Sequence, residues 1–399
     1  MSGKTLLFGV TALATALAGE ATANTTAHLH HGSLPHISNE IDEKDPPLLV
    51  EVAYTGEAMA NVSGGASRGT EYLDNLDVVL EADMERLIGL PATQLHVYGL
   101  YNNGASISAH VGDSFATSNI EADSRHRFRL YEAWVQHQIT PSLSLKAGLY
   151  DLNSEFDALE TSGLFVGSAH GIGVDISQTG QNGPSIFPVT SLAVRVEKQL
   201  TSGVKLRAAV LDGVPGNPDR PGRTTIRFNR GDGLLTIGEV ELPLEEGRVL
   251  LGHWRYTGRF DRFSGGMARG NAGTYLRGEK RISKWQDTRV DAFARLGTAP
   301  GKFNMFDRFV SAGLKVTGVF DSPSDEAGVA IASARTSRHY RDTTFADKTE
   351  TVVELSYRRE VLSFLSVQPS LQVVFNPGAD PGLRTAIVPG IRTELSFQF

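Results

Sequence analysis

Cysteine is absent from the 399 residues, so disulfides, thiolate catalysis and cysteine-based metal centres are excluded at the outset. Beyond residue 24 no apolar stretch approaches the ~18 residues that a membrane-crossing helix needs. Excess positive charge is missing too: the net charge is −7, which gives no reason to expect nucleic-acid binding. No Gly-x-Ser-x-Gly elbow occurs, and neither βαβ alternation nor long amphipathic helices are visible. Two readings lose support from these absences: a lipid-hydrolysing barrel enzyme built on a serine, histidine and acid, and an exported soluble sugar-binding protein.

What the chain does have is short-range alternation. Its last segment runs Ile391-Arg392-Thr393-Glu394-Leu395-Ser396-Phe397-Gln398-Phe399, with apolar residues and threonine at odd positions and polar residues at even ones. A period of two places these sets on opposite faces of a strand. Sixteen such segments are expected between residues 50 and 399, most with clear alternation. In the segment 127–138, Phe128 and Leu130 are out of phase with Tyr131, Ala133 and Val135, which predicts a bulge near Arg129 or a late strand start. Forty-two glycines and seventeen prolines supply turns between the segments.

The connections alternate in length. Long ones (62–70, 102–126, 150–190, 212–232 and so on) follow odd-numbered strands, and mostly short ones, such as Gln199-Leu200-Thr201-Ser202, follow even-numbered strands. The segment 84–92 is the exception. A transmembrane antiparallel β-barrel predicts this rhythm, with short periplasmic turns and long extracellular loops. A cylinder of sixteen strands is too wide for side chains to fill, so its inner wall must be polar and its outer wall apolar.

The N-terminus reads as an export signal: Lys4, an apolar run from Thr5 to Ala18, then the small-residue site Ala21-Thr22-Ala23. The expected organisation is therefore a signal peptide over 1–23, a flexible periplasmic leader over 24–48 and a barrel over 49–399. The leader holds His28, His30, His31 and His36, read as a solvated tract rather than a metal site. No metal and no cofactor are predicted, and catalysis is not expected.

The longest connection, about 150–190, is the candidate for a loop that folds inward and narrows a pore. Ser154, ahead of Glu155, Asp157 and Leu159, is placed to start a short helix. Sugar recognition needs planar hydrogen-bonding groups of both signs and aromatic faces. The candidate constriction or sugar-binding residues are Glu155, Phe156, Asp157 and Phe165 on this loop, with Glu57, Glu132, Trp134, Arg195, Arg255, Arg277 and Glu279 on the wall. Phe397 and Phe399 are the candidates for closing the barrel.

Several segments resemble the carbohydrate-selective outer-membrane porins of the OprB type. The most specific is YDLNSEFDALETSGLFVGSAHGIG (150–173), followed by TGQNGPSIFPVTSLAVRVE (179–197) and AAVLDGVPGNPDRP (208–221). RLYEAWVQH (129–137), TYLRGEK (274–280), FDSPSDEAGVAIASA (320–334), ELSYRREVLSFLSVQPSLQVVFNPG (354–378) and GIRTELSFQF (390–399) add to the likeness. The resemblance implies a sixteen-stranded barrel in the bacterial outer membrane that passes glucose and related small sugars down a gradient. A general diffusion porin with little sugar preference is the alternative. The partners implied are small sugars, outer-membrane lipid and lipopolysaccharide, and the barrel-assembly machinery acting on the C-terminal strand.

Overall fold

A computed structural model describes residues 46–122, 127–220, 222–227, 229, 231–320 and 322–399. The signal peptide expected over 1–23 and the leader up to residue 45, with its histidines, lie outside the described residues.

Sixteen long strands form one antiparallel sheet that closes on itself. They are β1 Leu48–Asn61, β2 Gly69–Asp83, β3 Thr93–Asn102, β4 Arg127–Thr140, β5 Leu143–Tyr150, β6 Ser191–Gln199, β7 Lys205–Asp212 and β8 Leu234–Leu244. The second half comprises β9 Gly247–Tyr256, β10 Ala272–Trp285, β11 Thr288–Thr298, β12 Phe306–Thr317, β13 Glu326–Thr336, β14 Thr349–Leu362, β15 Leu365–Phe375 and β16 Arg384–Gln398. Each strand pairs with its neighbours in sequence, and β1 also pairs with β16, from Glu51 opposite Gln398 to Met59 opposite Gly390. Phe399 completes this seam through two backbone hydrogen bonds with Val50, of 2.9 and 3.1 Å. Closure gives every edge strand a partner, which a sheet surrounded by hydrocarbon requires.

The alternation expected from the sequence sets the two faces. Outward positions include Val194, Val196, Leu251, Leu276, Leu296, Val310, Ile331, Leu355 and Ile391, all exposed. Their neighbours Arg195, Arg277, Arg295 and Glu354 turn inward and are buried. The phase shift foreseen in β4 falls two residues beyond Arg129. Tyr98 pairs with Glu132 and Gly99 with Leu130, so Tyr131 is the extra residue, and both Tyr131 and Glu132 are buried. The exceptional connection after β2 contains a five-residue helix, α1 Met84–Ile88. The Asp83 carboxylate accepts from the amides of Glu85 and Arg86 at its start, and Gly89 ends it at φ +73°, where a side chain would be strained.

Two of the long connections turn into the barrel. Residues 151–190 do so, but not as the helix predicted from Ser154. The chain instead makes a 3-10 turn at Leu152–Ser154, capped by the Asp151 carboxylate, which accepts from the Asn153 amide. The Ser154 hydroxyl donates back to the Asp151 carbonyl, and Asp157 sits at φ +53°, which ends any helical continuation. Further 3-10 turns follow at Thr161–Leu164 and Ser168–His170, with one α-turn at Val174–Ser177. The second inward connection, between β3 and β4, was not foreseen. Its Ile107, Val111, Phe115 and Ile120 are buried together with wall residues Phe306, Phe309, Val352, Val374 and Val388.

The tethered inward loops and the family they point to

An inward loop carries backbone amides and carbonyls that need partners away from bulk water. Wall side chains supply them. Glu354 on β14 accepts from the Val166 amide (2.7 Å) and the Gly167 amide (3.0 Å). Glu279 on β10 accepts from Thr161 (2.8 Å), and Glu239 on β8 from Asp157 (3.1 Å). The Gln368 side chain on β15 donates to the Leu164 carbonyl.

Side-chain charge fixes the same loop at two points. The Glu155 carboxylate accepts from Arg195 Nε (2.7 Å), Lys146 Nζ (3.0 Å) and the Tyr150 hydroxyl (2.6 Å), while Arg207 donates to the Glu155 carbonyl (2.6 Å). Burial alone would raise the Glu155 pKa, but the adjacent Lys146, Arg195 and Arg207 cations hold it well below the ordinary carboxylate range. Asp157 accepts from Arg295 Nε (2.9 Å to Oδ1) and Nη2 (2.7 Å to Oδ2) and from Arg277 Nη1 (2.8 Å). Arg295 also donates to Asp175 (2.6 Å), tying the far end of the loop to the same guanidinium. His170 lies between Phe165 and Phe293, and burial pushes its pKa down to about 3.

The β3–β4 connection is held in the same way. Glu350 on β14 accepts from the Ser114 amide (3.0 Å), Gln372 on β15 donates to the Thr117 carbonyl (2.7 Å), and Arg392 on β16 donates to Asn119 (2.7 Å). Glu57 on β1 accepts from the Ser118 hydroxyl (2.5 Å) and from Arg392 (3.1 Å).

The candidate residues therefore separate into groups. Glu155 and Arg195 form one cluster, Asp157 and Arg277 a second, and Glu279 anchors the loop between the second cluster and residue 161. Glu132 accepts from the Asp151 amide (2.9 Å) at the start of the loop, and Glu57 belongs to the other inward connection. Trp134 does not offer a bare ring. His96 from β3 stacks on it at 4.5 Å and 6°, and the Lys146 ammonium from β5 sits 3.7 Å from the ring centroid. Phe156 and Phe165, expected to present aromatic faces, are 0% and 2% exposed and pack beneath the loop.

Arg255 requires a correction. It is exposed and shares its face of β9 with Leu251, on the outer wall, while Trp254 and Tyr256 turn inward. The assumption that polar residues mark the inner face fails here because the inward loop brings apolar surface with it. Trp254, Tyr256 and Tyr275 pack against Phe156, Ile172 and Ile176. Of the wall carboxylates, Glu239 and Glu350 escaped sequence reasoning, since the loop amides that they accept from lie far away in sequence. A signal for the second inward connection did exist: four large apolar residues spaced through a segment that a surface loop would keep polar.

Phe397 and Phe399 lie at the seam. The Phe397 ring stacks on Phe364 from the β14–β15 turn at 5.6 Å and 20°, on the outer face.

The profile of the family described as "Carbohydrate-selective porin, OprB family" matches residues 67–397. The chain is similar to Porin B of Pseudomonas aeruginosa, with 24% identity over 414 residues, covering 90% of this chain and 89% of that protein. Among solved structures, the high-pH form of Pseudomonas putida OprB superposes with a TM-score of 0.77 at 18% identity, covering 88% of this chain and 94% of that one. The outer-membrane channel DcaP of Acinetobacter baumannii gives 0.52 at 8% identity, covering 88% and 97%. A closed barrel with an apolar outer wall and a polar inner wall, matched over most of its length by one family profile, is a channel rather than an enzyme, and the chain belongs to the OprB family of carbohydrate-selective outer-membrane porins.

Proposed function

We propose that the channel passes glucose and related small sugars by passive diffusion, with residues 151–190 narrowing the water-filled path. The observation that carries this reading is the pair of charged tethers at Glu155 and Asp157, which hold the loop against inward side chains of β5, β6, β10 and β11. A loop fixed inside a barrel takes cross-section from the lumen and does not withdraw easily. Passage through such a zone requires weak binding, because a tightly held solute blocks the pore. An affinity of roughly millimolar, near −4 kcal/mol, suits that requirement.

In this reading Glu57, Glu132, Glu155, Asp157, Arg195, Arg277 and Glu279 shape the narrow zone from behind, by positioning backbone. The exposed apolar belt meets outer-membrane lipid and lipopolysaccharide, and β16 is the segment handled by the barrel-assembly machinery. The signal peptide and leader belong to the same proposal, since a barrel in the outer membrane must first be exported.

The test is a planar-bilayer titration of the purified protein. Rising glucose lowers the ion current in the millimolar range, while an anionic metabolite at equal concentration has a weaker effect. Equal responses to both would favour a general diffusion pore with little sugar preference.

A further inference from the structure

From Asp151 to Ser177 every residue of the inward loop is buried or half-buried except Glu160, whose side chain is 83% exposed. An exposed carboxylate on a segment otherwise packed against the barrel wall stands at the border of the remaining aqueous space. It is also well placed to stay there. The next residue, Thr161, opens a 3-10 turn and donates its amide to Glu279 Oε2 at 2.8 Å, so the backbone beneath Glu160 is pinned to β10.

Arg248 on β9 faces it. The Arg248 Nε donates to Glu279 Oε1 at 2.8 Å, and Nη1 reaches Glu241 Oε2 at 3.4 Å. These two contacts set the plane of the guanidinium. The other nitrogen, Nη2, lies 3.9 Å from Glu160 Oε1, beyond hydrogen-bond length, and makes no hydrogen bond among the described residues. Arg248 is one-quarter exposed. A half-solvated ion pair at that separation contributes little to stability. What it leaves is a donor and an acceptor facing each other with unused capacity.

We propose that Glu160 and Arg248 form the solute-selecting contact of the channel, taking neighbouring hydroxyls of a neutral polyol. One hydroxyl donates to the Glu160 carboxylate and the adjacent one accepts from Arg248 Nη2. Charge-assisted hydrogen bonds of this kind discriminate by geometry without requiring charge on the solute. Glu279 and Glu241 are positioning residues that aim the guanidinium. Three carboxylates around one guanidinium also leave the site negative, which disfavours an anionic metabolite. This inference rests on the sugar-channel reading above and names its contact.

The experiment uses the full-length purified protein in planar bilayers, with glucose and gluconate as probes. Glu160→Gln, at an exposed position, leaves barrel assembly at the wild-type level. It weakens current block by glucose roughly five- to tenfold, the loss of one charge-assisted hydrogen bond (about 1–1.4 kcal/mol). Glu160→Lys additionally raises the relative permeability to gluconate. Glucose block unchanged in both variants, with block present in wild type, overturns the proposed contact and leaves the sugar-channel reading standing. A wild-type channel without glucose block removes both.

Discussion

Asp157 and Arg295, 138 residues apart in sequence, meet through two parallel hydrogen bonds of 2.9 and 2.7 Å, and both side chains are almost completely buried. The same carboxylate also holds Arg277. Replacing Asp157 with Asn leaves two buried guanidinium groups short of their counter-charge, an imbalance that costs about 3–5 kcal/mol. The expected outcome is a lower temperature for the heat-dependent mobility shift of the folded barrel, together with a larger or noisier single-channel current. Wild-type values for both would show that the loop is held by other contacts.

Glu155 gives a pH prediction with a definite sign. Its folded-state pKa lies below the ordinary glutamate value of 4.5, because the Lys146, Arg195 and Arg207 cations outweigh the burial that opposes them. A depressed carboxylate contributes stability above its unfolded pKa and loses it as pH falls through the folded value. The tether is therefore fully present at neutral pH and loses strength only once pH falls below the unfolded value toward the depressed folded one. Single-channel current should hold steady from pH 8 to pH 5 in the wild type, whereas Glu155→Gln should show the altered current throughout that range. A wild-type transition near neutrality with the Glu155 environment as its origin would contradict the cation cage.

The placement of Arg255 on the outer wall makes a negative control. Arg255→Leu should leave glucose block and ion selectivity unchanged, since the side chain shares its face with Leu251 and not with the inward Trp254. Altered sugar block in a normally assembled Arg255→Leu barrel would place that side chain in the lumen.

Phe399 shares two backbone hydrogen bonds with Val50, and Phe397 stacks on Phe364 at the same end of the seam. Phe399→Asp puts a charge at this junction and should reduce the yield of folded, heat-modifiable barrel in the outer membrane several-fold while total synthesis is unchanged. Normal assembly would mean that backbone pairing alone is enough to finish the seam.

The strands were legible because lipid on one side and water on the other impose a two-residue repeat on any closed sheet of this size. Even the irregularity in β4 announced itself through Phe128 and Leu130 falling out of step. The inward direction of residues 151–190 could be anticipated from length and chemistry, but its partners could not. Arg295 and Glu354 lie far along the chain, and nothing local to Asp157 or Val166 encodes them. The error at Arg255 has the same root. Polarity identifies the inner wall only where that wall meets water, and Trp254 and Tyr256 instead meet the apolar side of a loop.

The two inward connections also bond to each other: the Asn119 amide donates to the Val166 carbonyl at 2.8 Å, and the Ser168 amide to the Ala116 carbonyl at 3.1 Å. In the proposed channel, pore diameter is thus a joint property of two segments that a gene encodes separately. Trimming either one to widen the hole would unmoor its companion, so a graft meant to retune the aperture has to transplant both as a set.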